Sequence, residues 1–344
     1  MTGGANVAYW AIIAGIPILA AALCAGTLVL LLPWLKSYAL VPPVDRSLHR
    51  EPTPQGGGLG VVLSAFATAW LAAGVSGALP QGAIPSLSVL TAAAALLTLV
   101  GLLDDMRGLS PAPRLFVQCL AVGLIVVTLP ADMRLVSALP LWAERLCVLL
   151  VGVWFVNLVN FMDGMDLMTV SEVVPITAAT ALLGLTGAVP ALPMLVALAL
   201  LGAILGFAPF NRPVARLFLG DVGSLPIGLV LGWLLLILAT RGHLVAALLL
   251  PLCYLADSTI TLGMRMFRRE AVWEAHRTHF YQRAVAGGMT VSGVVARVFG
   301  VNVVLAGLAM LSIAADSMTT SSLCLIGGAT LVGVLLAHFA SDRR

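Results

Sequence analysis

Long apolar runs separated by short polar connections repeat along the whole chain. Crossing a hydrocarbon layer takes about 20 mainly apolar residues wound as a helix, because each backbone polar group must be satisfied inside its own segment. Runs of that kind extend from Ala8 to Trp34, Gly58 to Val75, Leu87 to Leu103, Leu115 to Leu129, Leu141 to Asn160 and Val173 to Leu185. Others extend from Ala191 to Phe207, Gly223 to Ala239, Leu244 to Met264, Val291 to Ile313 and Ser321 to Phe339. The pattern predicts an all-α polytopic membrane protein, one domain over residues 1–344, with about eleven transmembrane helices. The first run lacks a small-residue cleavage pattern before a soluble domain, so it reads as a retained span and not as a removed signal peptide.

Composition agrees. Of 344 residues, 60% are hydrophobic and 10% charged, with a mean hydropathy of +1.07. No soluble core needs that much apolar surface, so the lipid bilayer is the expected surroundings and no nucleic-acid partner is expected. Cys24, Cys119, Cys147, Cys253 and Cys324 lie apart within apolar runs, which suggests neither a disulfide framework nor a paired-cysteine metal site.

The placement of charge matters more than its sum of +3. With the N-terminus outside, one side of the membrane receives Lys36, Arg46, Arg50, Arg107, Arg114, Arg212, Arg216, Arg265, Arg268, Arg269, Arg277 and Arg283. The other side keeps Arg134, Arg145 and Arg241, so the basic excess marks the first side as cytoplasmic. The acidic clusters and the paired histidines fall on that same side, which predicts an active-site cleft at the cytoplasmic face. A transporter would instead place ionisable groups near the bilayer midplane.

Five polar constellations carry candidate chemistry. In the first connection, Gln55 precedes Gly56, Gly57 and Gly58; such a run lets backbone N–H groups approach a phosphate, or makes a tight turn against a neighbouring helix. Asp104 and Asp105 end the third run, where two adjacent carboxylates call for a divalent metal or a basic partner unless both are solvated. Arg114 opens the next run, either to reach a phosphate or to anchor at the interface.

Asn157, Asn160, Asp163 and Asp166 recur every third residue, a spacing that drifts by about 60° per step on a straight helix. A helix end near Gly164 would let Asp166 fold back toward Asn160 and Asp163, giving hard oxygen ligands suited to Mg2+ or a structural hydrogen-bond ladder. Asp221 stands between glycines at the start of a run, as a metal holder or an ordinary N-cap. The last connection is basic and includes His276, Arg277 and His279, suited to a diphosphate or to anionic lipid. Its HxxH spacing lacks the glutamate of a zinc protease.

Taken together, these motifs resemble the polyprenyl-phosphate N-acetylhexosamine-1-phosphate transferase family, in the same order and over nearly the whole chain. RLFLGDVGS and HRTHFYQR are most similar to the branch that starts O-antigen synthesis. The resemblance implies transfer of an aminosugar-1-phosphate from a UDP-N-acetylaminosugar to undecaprenyl phosphate at the bacterial inner membrane. It implies Mg2+, with Mn2+ able to substitute, on Asn160 and Asp221. It further implies catalytic roles for Asp104, Asp105, Asp163, His276 and His279, and substrate contacts from Arg114, Asn157, Asp166, Phe218 and Arg277. The chain departs from the family at Leu167, where glycine is usual, and in having His276-Arg277-Thr278-His279 in place of adjacent histidines. Small residues in the spans would permit a homodimer. The competing class is a transporter or lipid flippase, which leaves the asparagine and aspartate series unexplained.

Overall fold

The computed structural model describes residues 3–41, 52–75, 83–270 and 277–341. Among them the chain forms α1 (Gly3–Tyr38), β1 (Leu40–Val41), β2 (Thr53–Pro54), α2 (Gly57–Val75), α3 (Ala83–Arg107), α4 (Pro111–Thr128) and α5 (Leu141–Met162). There follow α6 (Met168–Leu185), α7 (Ala191–Asn211), α8 (Asp221–Thr240), α9 (Leu244–Leu249), α10 (Leu252–Phe267), α11 (Phe280–Ala286), α12 (Val291–Ala314) and α13 (Met318–Ala340). Ten of the helices, α1 to α8 with α12 and α13, are long and apolar enough to cross a membrane. The protein is a multi-pass, all-α membrane protein. The run from Leu244 to Met264, expected as an eleventh span, is divided into α9 and α10 at Leu250 and Pro251. Pro251 has no N–H to donate, and its own backbone, φ −95° and ψ 18°, lies off the helix.

The core centres on α7 and α8, whose spans are the most enclosed. Helix α1 lies directly on α7 because Gly202 and Gly206 have no side chains; a Cβ at Gly202 would meet the Pro17 carbonyl at 2.1 Å. The same device seats α2 and α3 against the start of α8. A Cβ on Gly58 would fall 2.1 Å from the Gly223 Cα, and one on Gly101 would fall 2.3 Å from the Asp221 carbonyl oxygen. Close backbone approach through small residues is a general way for membrane helices to pack without a hydrophobic drive between them.

The β1–β2 ribbon is antiparallel and pairs Leu40 with Pro54 and Val41 with Thr53. Beyond it, the Phe218 N–H donates to the Pro54 carbonyl (2.9 Å), Gly57 N–H to Phe218 O (2.9 Å) and Gly58 N–H to Leu219 O (2.8 Å). The glycine run therefore does its work as packing: its amides face a neighbouring segment of the chain. With the helices alternating in direction, the ends of α3, α5 and α7 and the starts of α4, α6 and α8 share one face. Helix α11 joins that face, where Arg283 Nη2 meets the carbonyl of Ala340 at the end of α13 (3.5 Å).

Candidate active site

Helix α8 begins without a cap of its own: Gly220, at φ 78°, has no side chain to offer its first amides. The last turn of α3 supplies one. Asp105 accepts from the Asp221 N–H (3.0 Å) and the Val222 N–H (3.1 Å), satisfying donors that a helix start leaves exposed. Gln55 Nε2 in turn donates to the Asp105 carbonyl (2.9 Å). Asp104 turns the other way, accepting from the Leu109 N–H (2.6 Å) and pairing with Arg114 at 2.5 Å. Arg114 also lies 3.5 Å from Asp221. The paired aspartates thus divide their tasks, one holding α8 and the other fixing the guanidinium of α4.

Asn160, on the last turn of α5, donates from Nδ2 to Asp221 Oδ1 (2.8 Å) and to Ser224 Oγ (2.9 Å). Two residues from separate connections, 61 positions apart, therefore meet directly. The helix stops at Met162, and Asp163 and Gly164 begin the turn that the period-three series requires. Asp163 accepts from the Thr169 hydroxyl. Asp166 is buried and accepts from the Ala215 N–H (3.0 Å). Leu167 takes the left-handed conformation, φ 61°, and donates its N–H to Asn211 Oδ1 (2.7 Å). Glycine would suit that conformation without steric cost; here the leucine adopts the turn regardless, held by Asn211. Asn157, the first of the series, does not reach the site: it pairs with Gln118 of α4 through two amide hydrogen bonds, 3.2 and 2.7 Å.

The last wall is α11 and the residues before it. Arg277 and Gln282 line the cavity, whereas His279 is buried behind it, 2.9 Å from Asp257 of α10. His276 lies outside the described residues. The Tyr281 hydroxyl donates to the Phe161 carbonyl (3.3 Å) and touches the Gly164 turn, where a Cβ would come within 2.3 Å of it.

These parts enclose a cavity of about 400 Å3. Asp105, Asp163, Asp166, Asp221 and Asn160 line it together with Arg277, and Phe218 contributes an aromatic wall. Burial, then repulsion from Asp221, Asp105 and Asp166, holds the Asp163 carboxyl well above the usual range against the opposing pull of the Thr169 hydrogen bond. Four carboxyl groups and one arginine line the cavity. Among the described residues no three histidine, cysteine or carboxylate side chains group as a self-sufficient metal cage. Mg2+ takes one or two protein oxygens and completes its shell with water and substrate phosphate. Asp105 and Asp166 spend oxygens on backbone amides, while the Asn160 amide oxygen has no partner among the described residues. The donor set fits that ion, with Asp221 and Asn160 the side chains best placed to hold it.

Residues 87–239, α3 to the end of α8, match the model of glycosyl transferase family 4. The match covers the central part of the chain. Over 269 residues the chain is 24% identical to a Bacillus subtilis (strain 168) protein named "Probable undecaprenyl-phosphate N-acetylglucosaminyl 1-phosphate transferase", covering 74% of this chain and 72% of the relative. Shorter stretches resemble proteins named phospho-N-acetylmuramoyl-pentapeptide-transferase. One, from Limosilactobacillus fermentum, is 37% identical over 73 residues, 21% of this chain and 22% of the relative. Another, from Bartonella quintana, is 34% identical over 111 residues, 31% and 30% respectively. The family 4 segment carries the whole of the Asp104–Asp221 network. The α10–α11 wall lies beyond it.

Several site residues escaped the reading of the sequence. In the sequence Gln55 stands out only for the glycine run it precedes, not for its bond to Asp105. Asn211 stands in a polar connection and gave a visible signal, being an amide at the end of α7. Asp257 gave a stronger one: a carboxylate inside an apolar run is expensive unless used.

Proposed function

We propose that the protein transfers an N-acetylaminosugar-1-phosphate from a UDP-sugar to undecaprenyl phosphate, releasing UMP. The reaction would take place at the cytoplasmic face of the bacterial inner membrane and begin an O-antigen or a related cell-envelope polysaccharide. One observation carries the reading: Asn160 and Asp221, from separate connections, meet at 2.8 Å in the wall of a cavity that Arg277 also lines.

An oxygen of the lipid phosphate attacks the sugar-bearing β-phosphorus; the bond from that phosphorus to the bridging oxygen breaks, and UMP departs with the electron pair. A phosphate monoester has its second pKa at about 6, so the acceptor is largely ionised at neutral pH and needs no strong base. Arg277 faces the diphosphate, and Arg114 holds Asp104 and Asp221 in register beside it. Phe218 offers the uracil a stacking surface, with Asp166 next to it. Mg2+, or Mn2+ in its place, supplies charge compensation for the diphosphate when held by Asn160 and Asp221. Direct displacement is favoured over an aspartyl-phosphate intermediate because the Asp105 oxygens are committed to the α8 amides and Asp104 to Arg114.

The test is incubation of the purified protein with undecaprenyl phosphate and radiolabelled UDP-GlcNAc, UDP-GalNAc and their 6-deoxy relatives, with and without EDTA. UMP release that depends on lipid and is lost with EDTA supports the proposal. Solute or lipid movement without UMP release would replace it with the transporter reading.

A further inference from the structure

Helix α10 carries its polar residues inward. Tyr254, Asp257, Ser258, Thr261 and Arg265 are buried, while Ile260, Met266 and Phe267 are exposed. At the centre of that stripe is Asp257, 2% exposed. Its Oδ1 lies 2.9 Å from His279 Nδ1 and accepts from the Phe280 N–H (3.1 Å) and the Thr261 hydroxyl (3.2 Å); Oδ2 accepts from the Tyr281 N–H (3.2 Å). His279, the residue at the N-cap position of α11, makes no side-chain cap itself. The cap comes from another helix.

What the cap holds is a wall of the cavity. Arg277 lies two residues before His279, and Gln282, Val285 and Ala286 extend the lining along α11. Tyr281 carries the constraint onward through its hydroxyl to the Phe161 carbonyl, in the last turn of the helix that bears Asn160. None of this chain of contacts requires Asp257 or His279 to touch a substrate, and neither lines the cavity.

We infer that Asp257 is a positioning residue that, with His279, fixes α11 and so sets Arg277 and Gln282 for the nucleotide diphosphate; the inference rests on the proposed transferase reading. A carboxylate is required because it must accept from several donors at once, and an amide of the same size can offer only one oxygen. The lipid phosphate has no contact assigned to α11, so the defect should fall on one substrate alone.

The test compares the full-length wild-type protein, Asp257→Asn, His279→Asn and the double variant. Asp257→Asn should raise KM for the UDP-sugar about tenfold or more while KM for undecaprenyl phosphate stays within about twofold. The double variant should be no worse than Asp257→Asn alone, since both act through one network. Hydrogen exchange at the Phe280 and Tyr281 amides should quicken in Asp257→Asn whether or not the protein turns over. Should Asp257→Asn not be recovered folded, His279→Asn carries the same test, with the same KM split at smaller size. Unchanged KM for the UDP-sugar, or both KM values rising together, would overturn the inference. A wild type that releases no UMP would instead sink the transferase reading, and unaltered exchange at those amides would then sink the positioning claim separately.

Discussion

Two helices of the cavity wall, α8 and α11, each have a start capped by an aspartate borrowed from another helix. Asp105 of α3 holds two consecutive amides of α8 at 3.0 and 3.1 Å, and Asp257 of α10 holds two consecutive amides of α11 at 3.1 and 3.2 Å. They differ in where the capping carboxylate stands. Asp105 is itself part of the cavity wall, whereas Asp257 is sealed behind it with His279 and Thr261. A cap inside the site joins stability to chemistry; a cap behind it joins stability to placement. Borrowing across helices has a common reason, since neither start has a capping side chain at its own N-cap position.

The sharpest way to break the comparison is at Asp221, the first residue of α8. Its side chain caps nothing and faces the cavity, so Asp221→Asn should cost about a thousandfold in kcat/KM for UMP release and leave the unfolding midpoint nearly unchanged. Activity within tenfold of wild type would remove Asp221 from the reacting centre. Next is Asp105→Asn, which sets an amide N–H against the α8 amides. We expect about a hundredfold loss of activity together with a lower unfolding midpoint, from about 1–3 kcal/mol of lost capping. If the midpoint did not move, α8 would not depend on its borrowed cap.

Gly220 isolates the cap from the chemistry. Its φ of 78° disfavours any side chain, and a Cβ there would sit 2.5 Å from Asp105 Oδ2. Gly220→Ala should therefore destabilise by about 1–2 kcal/mol from the backbone alone, with a further effect as Asp105 is displaced. Denaturation of the purified variant measures the destabilisation, and an unfolding midpoint equal to that of wild type would show that neither the turn nor the contact with Asp105 constrains this position.

The spans were legible because lipid demands long apolar helices, and ten of the expected runs appear as unbroken helices. The broken run shows what hydropathy misses: Pro251 interrupts the hydrogen-bond ladder without lowering the apolar count. In the site, the motifs led to Asp105, Asn160, Asp163, Asp166, Phe218 and Asp221, which share the cavity lining with Arg277. Period alone could not tell which of the asparagine and aspartate series turn inward. That was decided by the helix end at Met162, which leaves Asn157 on the helix and carries Asp163 and Asp166 off it. Nor could sequence show that His279 points to Asp257, since the two are 22 positions apart and meet only when α11 folds back on α10.

Asn157 offers the finest discrimination, because its chemistry is the same as that of Asn160 one turn away. Asn160 meets a carboxylate and a hydroxyl at the cavity; Asn157 meets Gln118 between α4 and α5, where Gln118 is 2% exposed. Amide pairs between membrane helices contribute about 0.6–1.7 kcal/mol, so Asn157→Ala should lower stability by that order and leave turnover per folded molecule near wild type. The loss has a specific origin, a buried glutamine left without its partner, and removing both polar groups avoids that penalty. Asn157→Leu with Gln118→Leu should therefore recover most of the stability lost by Asn157→Ala. If Asn157→Ala instead raises KM for the UDP-sugar while the double leucine variant stays folded and inactive, the amide pair belongs to the substrate pocket, and the boundary drawn at Asn160 is one helical turn too shallow.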